Sequence, residues 1–381
     1  MRVAIDLCTF TSIHQGGKDE VAYNLLRGFV NLGRSKDIIC FCYPDLADKV
    51  KKISNDIDLY IIPKKRIKSR FKLLEVILNG TLNSDLYEEI ITEKKVDILV
   101  FSNKLSSLAS YSIPTVIIPH DIQMFYRGNL TFSFIDELRR LLLRFLVKLE
   151  FRKRSSIIAI SDFDKKEMFK YLPGIKDKVY RIYNPIIFRE YSPFKVNKKH
   201  ILALNIQHPH KNIVTLIRAF KEIKDVIPYD LVLVGKLPRN MDELLNVIDT
   251  EDLSKRVLFT GFVPDDDLGK IISQTRIYVN TSFFEGFGMT AIEMIGQQIP
   301  TIVANNTAQK EVTKGFCKYY EPTNDFRALA EVILAEINEP TAEQDLIKFA
   351  GVMKASYSYE VIASKYWEFF RQVVNLNTNK F

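Results

Sequence analysis

Short apolar runs recur along the chain with stretches of helical period between most of them, and this alternation excludes most folds at once. Residues 2–7, 38–43, 59–62, 97–101, 115–119 and 156–160 read as strands, and residues 19–32, 85–95 and Phe134–Lys153 have helical spacing. A second series begins after Asn184, with strands expected at 201–205, 231–235, 257–260, 277–280 and 301–304 and helices at 213–226, 289–296 and 327–337. Strands that are apolar on both faces and alternate with helices belong in parallel sheets covered on both sides. The expected fold class is therefore α/β, with two doubly wound, Rossmann-like parallel-sheet domains facing a cleft.

A chain of 381 residues is too long for one ordinary core, which agrees with two series. Between them, the stretch from Tyr183 to Phe194 carries Pro185 and Pro193 and no clear period, the mark of a hinge. The expected partition is a first domain over 1–185, a linker over 186–199 and a second domain over 200–357. An aromatic C-terminal helix over 358–381, holding the single tryptophan Trp367, is expected to pack back on the first domain. In such sheets ligands bind beyond the carboxyl ends of the strands, so residues just after strands are the ones to search.

At 47% hydrophobic and 26% charged residues the chain is globular, and no apolar run approaches the roughly 20 residues of a membrane span. Its start runs straight into a strand pattern with no signal peptide, so a cytoplasmic protein is expected, peripheral on the inner face of the membrane if it docks there. Cys40 and Cys42 alternate on one strand without C-x-x-C spacing or a nearby histidine; reduced, buried thiols are expected and a zinc site is not.

The net charge of +8 favours anionic partners. Lys64, Lys65, Arg66, Lys68, Arg70 and Lys72 are interleaved with Ile67 and Phe71, a composition suited to an anionic membrane surface, with a solvated face as the alternative. No nucleic-acid module is visible, and nucleic acid is not expected as a partner. In Phe134–Lys153, Leu138, Leu142, Phe145 and Leu149 form an apolar stripe widened by Leu146, and Arg140, Arg144 and Lys148 recur on the opposite side. The expectation is a stripe packed into the core and a solvated basic face; a lipid-facing role for those cations is the alternative.

The segment from Ser282 to Glu293 reads S-F-F-E-G-F-G-M-T-A-I-E and follows an apolar strand signal. A strand that ends in a glycine turn and opens a helix presents unpaired N–H groups and the positive end of the helix dipole to an anion. Glu285 and Glu293 cannot bind phosphate, but carboxylates accept strong hydrogen bonds from hydroxyl groups. Anion plus polyol points to a nucleotide sugar. The bland alternative is an ordinary helix start with acidic residues nearby.

Companion motifs also follow strands. Asn205-Ile-Gln-His-Pro-His-Lys-Asn212 brings Lys211 to a strand end, and Val234-Gly235-Lys236 ends the next strand, with Lys236 either facing a nucleotide or exposed on the surface. Thr260-Gly-Phe-Val-Pro264 carries Phe262 and Val263, for which core packing competes with ligand contact. Ile118-Pro-His120-Asp121 places a histidine after a strand, and Ser161-Asp162 precedes a helix that one of the two should cap. The loop His14-Gln-Gly16-Gly17 permits close approach to a ligand, although it is neither G-x-G-x-x-G nor a Walker motif.

In this order, these motifs resemble the GT-B glycosyltransferases of the large retaining family 4, of the bacterial O-antigen and capsule polysaccharide type, over nearly the whole chain. The resemblance implies that Glu285 contacts the donor sugar and Glu293 the ribose. It implies that the turn formed by Gly286, Phe287, Gly288, Met289 and Thr290 meets sugar hydroxyls and the diphosphate through its N–H groups. It further implies that Lys211 meets the diphosphate, that Phe262 and Val263 flank the base, and that His120 hydrogen-bonds the sugar and stabilises developing charge. Gly16 and Gly17 would approach the phosphates or the acceptor. The family pairs its lysine with an arginine shortly before it, but here Asn205 and Ile206 occupy that place, leaving His208, His210 or Lys236 to supply charge.

The implied activity moves a sugar, mannose first, from a GDP-sugar or alternatively a UDP-sugar to a lipid-diphosphate-linked glycan. The first domain would bind the acceptor and the second the donor. Substitution would take place at the front face with no protein nucleophile. No D-x-D metal motif of the other large transferase fold stands out, so no metal is expected. A nucleotide-sugar epimerase or hydrolase on the same fold and a non-enzymatic nucleotide-sugar-binding regulator are the alternatives.

Overall fold

The computed structural model describes residues 1–10, 17–63, 77–78, 80–120, 122–126, 134–190, 198–237, 248 and 251–378. They form two compact units, one running to Ile187 and completed by the chain from Tyr357 onward, the other spanning Phe188–Ser356.

The first unit is built on a seven-stranded sheet in the order β3-β2-β1-β4-β5-β6-β7. Its strands are β1 (Val3–Asp6), β2 (Ile38–Cys42), β3 (Asp58–Ile61), β4 (Ile98–Phe101), β5 (Thr115–Ile117), β6 (Ser156–Ala159) and β7 (Val179–Arg181). The second unit has a six-stranded sheet in the order β10-β9-β8-β11-β12-β13. It consists of β8 (His200–Leu204), β9 (Asp230–Val234), β10 (Val257–Gly261), β11 (Thr275–Asn280), β12 (Thr301–Ala304) and β13 (Lys318–Tyr320). Every pairing in both sheets is parallel. β1, β2, β4, β5 and β6 are buried at every position, as strands covered on both faces must be. β7 and β13 were not anticipated: each is a three-residue edge strand with polar positions and little apolar signal. The strand order reverses between β1 and β4 in the first unit and between β8 and β11 in the second, which marks their switch points.

The C-terminal helix Tyr359–Thr378 lies against the helix Gly17–Asn31 within the first unit. A Cβ on Gly28 would stand 2.3 Å from the Ala363 Cβ and 2.7 Å from the Tyr359 carbonyl oxygen, so the absence of a side chain there permits the close approach. Phe29 meets Trp367 edge-on at 5.6 Å and Phe370 at 6.1 Å. Ile186 N–H donates to the Tyr357 carbonyl at 2.8 Å, and Tyr359 N–H donates back to Ile186 at 3.0 Å, closing the unit across the chain. Cys8, Cys40 and Cys42 are buried free thiols and Cys317 is half-buried.

Two polar features stiffen the first unit. Ser161, rather than Asp162, caps the helix Asp162–Tyr171, its hydroxyl accepting from Asp164 N–H at 3.0 Å. Glu150 and Arg154, both fully buried, pair at 3.6 Å. Glu150 accepts from the N–H groups of Leu105, Ser106 and Ser107, and Arg154 donates to the carbonyls of Ser107 and Ala109. Burial pushes the Glu150 carboxyl up, and Arg154 with the loop N–H groups pulls it back only in part.

The helix Phe134–Lys153 corrects an expectation. Its stripe does not enter the core: Leu138, Leu142 and Phe145 are exposed, and Leu149 is half-buried. The side carrying Arg140 faces inward instead, with Leu146, Val147, Glu150 and Phe151. Arg140 is buried because carbonyls satisfy its guanidinium: Met124 at 3.1 Å and Tyr126 at 2.9 Å. Arg144 also donates to Met124, at 2.7 Å. The basic run from Lys64 to Lys72 lies outside the described residues.

Candidate active site

The second unit gathers its functional side chains at the switch point. Lys211 follows β8 and Glu285 follows β11, and these strands are neighbours although their residues are far apart in the chain. The Lys211 Nζ lies 2.6 Å from the Glu285 Oε1, with the two side chains 17% and 12% exposed. Ser282 Oγ donates to the same oxygen at 2.8 Å, and the Asn280 amide approaches it at 3.4 Å. Among the described residues these bonds all fall on Oε1, which leaves Oε2 to accept from a ligand hydroxyl. Burial pushes the Glu285 carboxyl up, but the Lys211 charge, the hydrogen bonds from Lys211 and Ser282, and the nearby His210 outweigh it and hold the group below its ordinary value. Glu285 is thus a permanent carboxylate near neutrality.

The loop around it is fixed from two sides. From the β8 side, His210 O accepts from Phe283 N–H at 2.7 Å, and Thr281 Oγ1 donates to Lys211 O at 2.7 Å. After β12, Thr307 Oγ1 accepts from Glu285 N–H at 3.1 Å, and the Asn306 amide donates to Ser282 O at 2.8 Å. Asn280, Ser282, Asn306 and Thr307 are therefore positioning residues that the sequence reading missed. The polar run Asn280-Thr281-Ser282 before the first glutamate was the available signal for Asn280 and Ser282.

Gly288 opens the helix Met289–Gly296 with φ +80°, a conformation that strains residues with a side chain. A Cβ there would also sit 3.0 Å from the buried Gln309 Oε1. Glu293 lies half-buried on this helix. Tyr278 of β11 donates to Thr290 Oγ1 at 2.8 Å. Burial raises the Tyr278 phenol, the Thr290 bond opposes that, and the negative charges of Glu285 and Glu293 raise it further, which places both carboxylates near one tyrosine. Gly286, Phe287, Met289 and Thr290 complete the turn at the dipole's positive end.

At the ends of β9 and β10, Gly235 N–H donates to Gly261 O at 3.0 Å. Gly235 has φ +134°, and a Cβ there would meet Ile206 N at 3.0 Å, so its glycine accommodates the neighbouring loop. Lys236 is exposed. Phe262 and Val263 part company: Phe262 is 74% exposed, whereas Val263 packs on the apolar cluster that includes Val232 and Tyr278. His208 and His210 stack at 5.4 Å beside Lys211, while Asn205 is exposed with φ +61°. Among the described residues no group of three or more His, Cys, Asp or Glu side chains is placed to hold a metal ion.

In the first unit, His120 follows β5 in a left-handed conformation, φ +62°, sparsely populated for a residue with a side chain. Its Nε2 lies 2.6 Å from the Ser102 carbonyl, an oxygen that only accepts, so Nε2 carries the proton. Ser102 follows β4 and its hydroxyl donates to the Asp6 carbonyl at the end of β1, which anchors His120 to the switch point. Gly17 begins the first helix; Gly16 and Asp121 lie outside the described residues.

Comparison with known proteins settles the family. Residues 15–188 match the model described as Glycosyltransferase Family 4, and residues 186–351 match Glycosyl transferases group 1. The chain belongs to the family 4 glycosyltransferases of GT-B fold.

The chain is 28% identical over 234 residues to the O-antigen chain mannosyltransferase RfbU of Salmonella typhimurium, a match covering 60% of the chain and 64% of the relative. It spans under two thirds of that relative's length. Among solved structures, sucrose-phosphate synthase from Thermosynechococcus elongatus superposes with a TM-score of 0.76 at 16% identity, over 99% of this family member and 100% of that chain. Anabaena HepE in complex with UDP-glucose gives 0.72 at 16% identity, over 98% and 100%. At such identity these likenesses speak for the fold alone.

Proposed function

We propose that this glycosyltransferase transfers mannose with retention of configuration from a GDP-sugar to a lipid-diphosphate-linked glycan in O-antigen or capsule synthesis, without a metal ion. The observation that carries the reading is the Glu285 carboxylate, held ionised by Lys211 at a switch point beside the start of the helix Met289–Gly296. The Oε2 oxygen of Glu285 accepts from donor sugar hydroxyls, and Glu293 accepts from the ribose. The N–H groups after Gly288 face the diphosphate and stabilise charge as it leaves. Lys211 shares its charge with Glu285, so the helix start carries much of that work. The leaving phosphate takes the acceptor proton at the front face, and no protein nucleophile is needed. His120 is assigned to the donor sugar, Phe262 and Val263 to the base, and Gly16 and Gly17 to the phosphates or acceptor. The run from Lys64 to Lys72 is assigned to anionic lipid at the inner face of the cytoplasmic membrane.

Mannose rests on the similarity to an O-antigen chain mannosyltransferase, and GDP on the family resemblance of the Pro209-His-Lys-Asn212 motif. A UDP-sugar is the second reading, the kind of donor with which HepE, a protein of the same fold, has been solved. A thermal-shift screen across GDP, UDP, ADP and their sugars separates the two, since the cognate nucleotide raises apparent stability. Nucleoside diphosphate released only with a lipid-diphosphate acceptor, in the presence of chelator, and an axial product bond by NMR support the proposal. Release without acceptor favours an epimerase or hydrolase; binding with no turnover favours a regulator. A fully active Glu285→Gln or His120→Ala enzyme overturns the site assignment.

A further inference from the structure

Gln309 lies against the glycine turn of the candidate site with its side chain unmet. It is fully buried, and among the described residues neither its Oε1 nor its Nε2 has a hydrogen-bond partner. Its backbone is engaged: Gln309 N–H donates to Asn306 O at 3.1 Å, and its carbonyl accepts from Thr313 N–H at 3.0 Å and from Thr313 Oγ1 at 2.7 Å. Only the amide is left over. Burying such a group unpaired is unfavourable, and a methionine of similar length would fill the same space without that cost.

The amide is aimed at Gly288. The three atoms nearest to a Cβ placed on that glycine are Oε1, Cδ and Nε2 of Gln309, at 3.0, 3.5 and 3.7 Å. Gly288 precedes the helix Met289–Gly296, and no side chain of its own caps the N–H groups there. The residues just before Gln309 hold Glu285: Thr307 Oγ1 accepts from Glu285 N–H at 3.1 Å, and Ala308 N–H donates to Glu285 O at 3.3 Å. Gln309 thus reaches the helix start from the segment that also fixes the carboxylate.

We infer that Gln309 is a donor-binding residue, its Nε2 donating to an oxygen of the sugar-bearing phosphate at the start of the helix Met289–Gly296. The inference rests on the nucleotide-sugar reading above and adds a residue to it. Orphan N–H groups at a helix start attract an anion, and an amide N–H beside them adds a donor. From the β8 side, Lys211 shares its charge with Glu285, and Asn205 and Ile206 bring none. A sugar hydroxyl, by contrast, already has Glu285 Oε2 to accept from it. Because neither amide atom is tied to a partner, a half-turn about the Cγ–Cδ bond presents Nε2 without breaking a hydrogen bond. Gly288 has no side chain to stand between the amide and a ligand at the turn. In so enclosed a place the new bond meets little competition from water.

Calorimetric titration of the full chain with GDP, GDP-mannose and GMP, and with UDP, UDP-glucose and UMP, tests the inference against Gln309→Met. For the base that the parent prefers, Gln309→Met is expected to weaken the diphosphate and its sugar about 10-fold and the monophosphate less than about 2-fold. Its melting temperature without nucleotide is expected to hold or rise, because the amide removed has no partner to lose. A merely structural amide does not combine lower affinity with undiminished stability. A lower melting temperature, whatever the affinity, overturns the inference by showing that the amide supports the fold. An equal loss for the monophosphate overturns it by moving the contact away from the sugar-bearing phosphate. Loss confined to the nucleotide sugar moves the contact to a sugar hydroxyl and overturns the phosphate assignment. Unchanged affinity in Gln309→Met refutes this inference alone, whereas a parent chain that binds none of these nucleotides refutes the donor reading on which it rests.

Discussion

Replacing Lys211 with methionine removes a charge while keeping much of the side chain's volume, so the consequence falls on Glu285. The carboxylate is 12% exposed and loses a cation at 2.6 Å, keeping the Ser282 hydroxyl at 2.8 Å and the distant Asn280 amide. Breaking a buried ion pair from one side costs about 3–5 kcal/mol; partial exposure and the surviving hydroxyl place this case near 2–3 kcal/mol. At about 2–4 °C per kcal/mol for a unit of this size, the melting temperature at pH 7 should fall by roughly 4–12 °C.

The pH dependence carries the sharper test. In the parent chain Glu285 sits below its ordinary value of 4.5, so its contribution is fully present above pH 4.5 and is lost as pH falls through the folded value. Without Lys211, burial is the strongest influence left on the carboxyl, and the folded value is expected to move upward. The penalty is then full at neutral pH and shrinks on acidification, so the gap between variant and parent closes as pH drops. Lys211→Met/Glu285→Gln removes both charges and should recover most of the loss, a coupling read by a double-mutant cycle of melts across pH. A pH-independent gap, or a double variant no more stable than Lys211→Met alone, would refute the argument.

Gly28→Val should destabilise the first unit by about 2 kcal/mol or more in denaturant unfolding, because the new side chain has no room against Ala363 and the Tyr359 carbonyl; a neutral result would mean that the C-terminal helix does not lie there. Glu150→Gln leaves Arg154 as a buried charge without its carboxylate and should cost about 3 kcal/mol in the same measurement. A paired Arg154→Met substitution should restore part of it.

Much of the architecture is written locally. Strands such as 38–42 and 98–101 are apolar throughout, helices of 3.6-residue period lie between the strands, and together these dictate parallel sheets. β7 and β13 escaped because Val179–Arg181 and Lys318–Tyr320 are short edges whose pairing, not composition, makes them strands. The glycine turn at Gly288 and the two glutamates were legible for the same local reason, since a strand end, a glycine and a helix start are neighbours in the chain.

The pairing of Lys211 with Glu285 was not legible. The residues are 74 positions apart, and they meet because the crossover connections set β8 beside β11. The same limit governs the helix Phe134–Lys153. Its period identified an apolar stripe, but a period does not state which side its neighbours cover. The carbonyls of Met124 and Tyr126 drew Arg140 inward and left Leu138 and Phe145 facing out. Sequence by itself determined most of the elements, the parallel sheets and the chemistry of the glycine turn, because these depend on residues close in the chain. Tertiary structure alone decided which charges neutralise each other and which apolar face is left facing out, because both depend on what packing brings alongside.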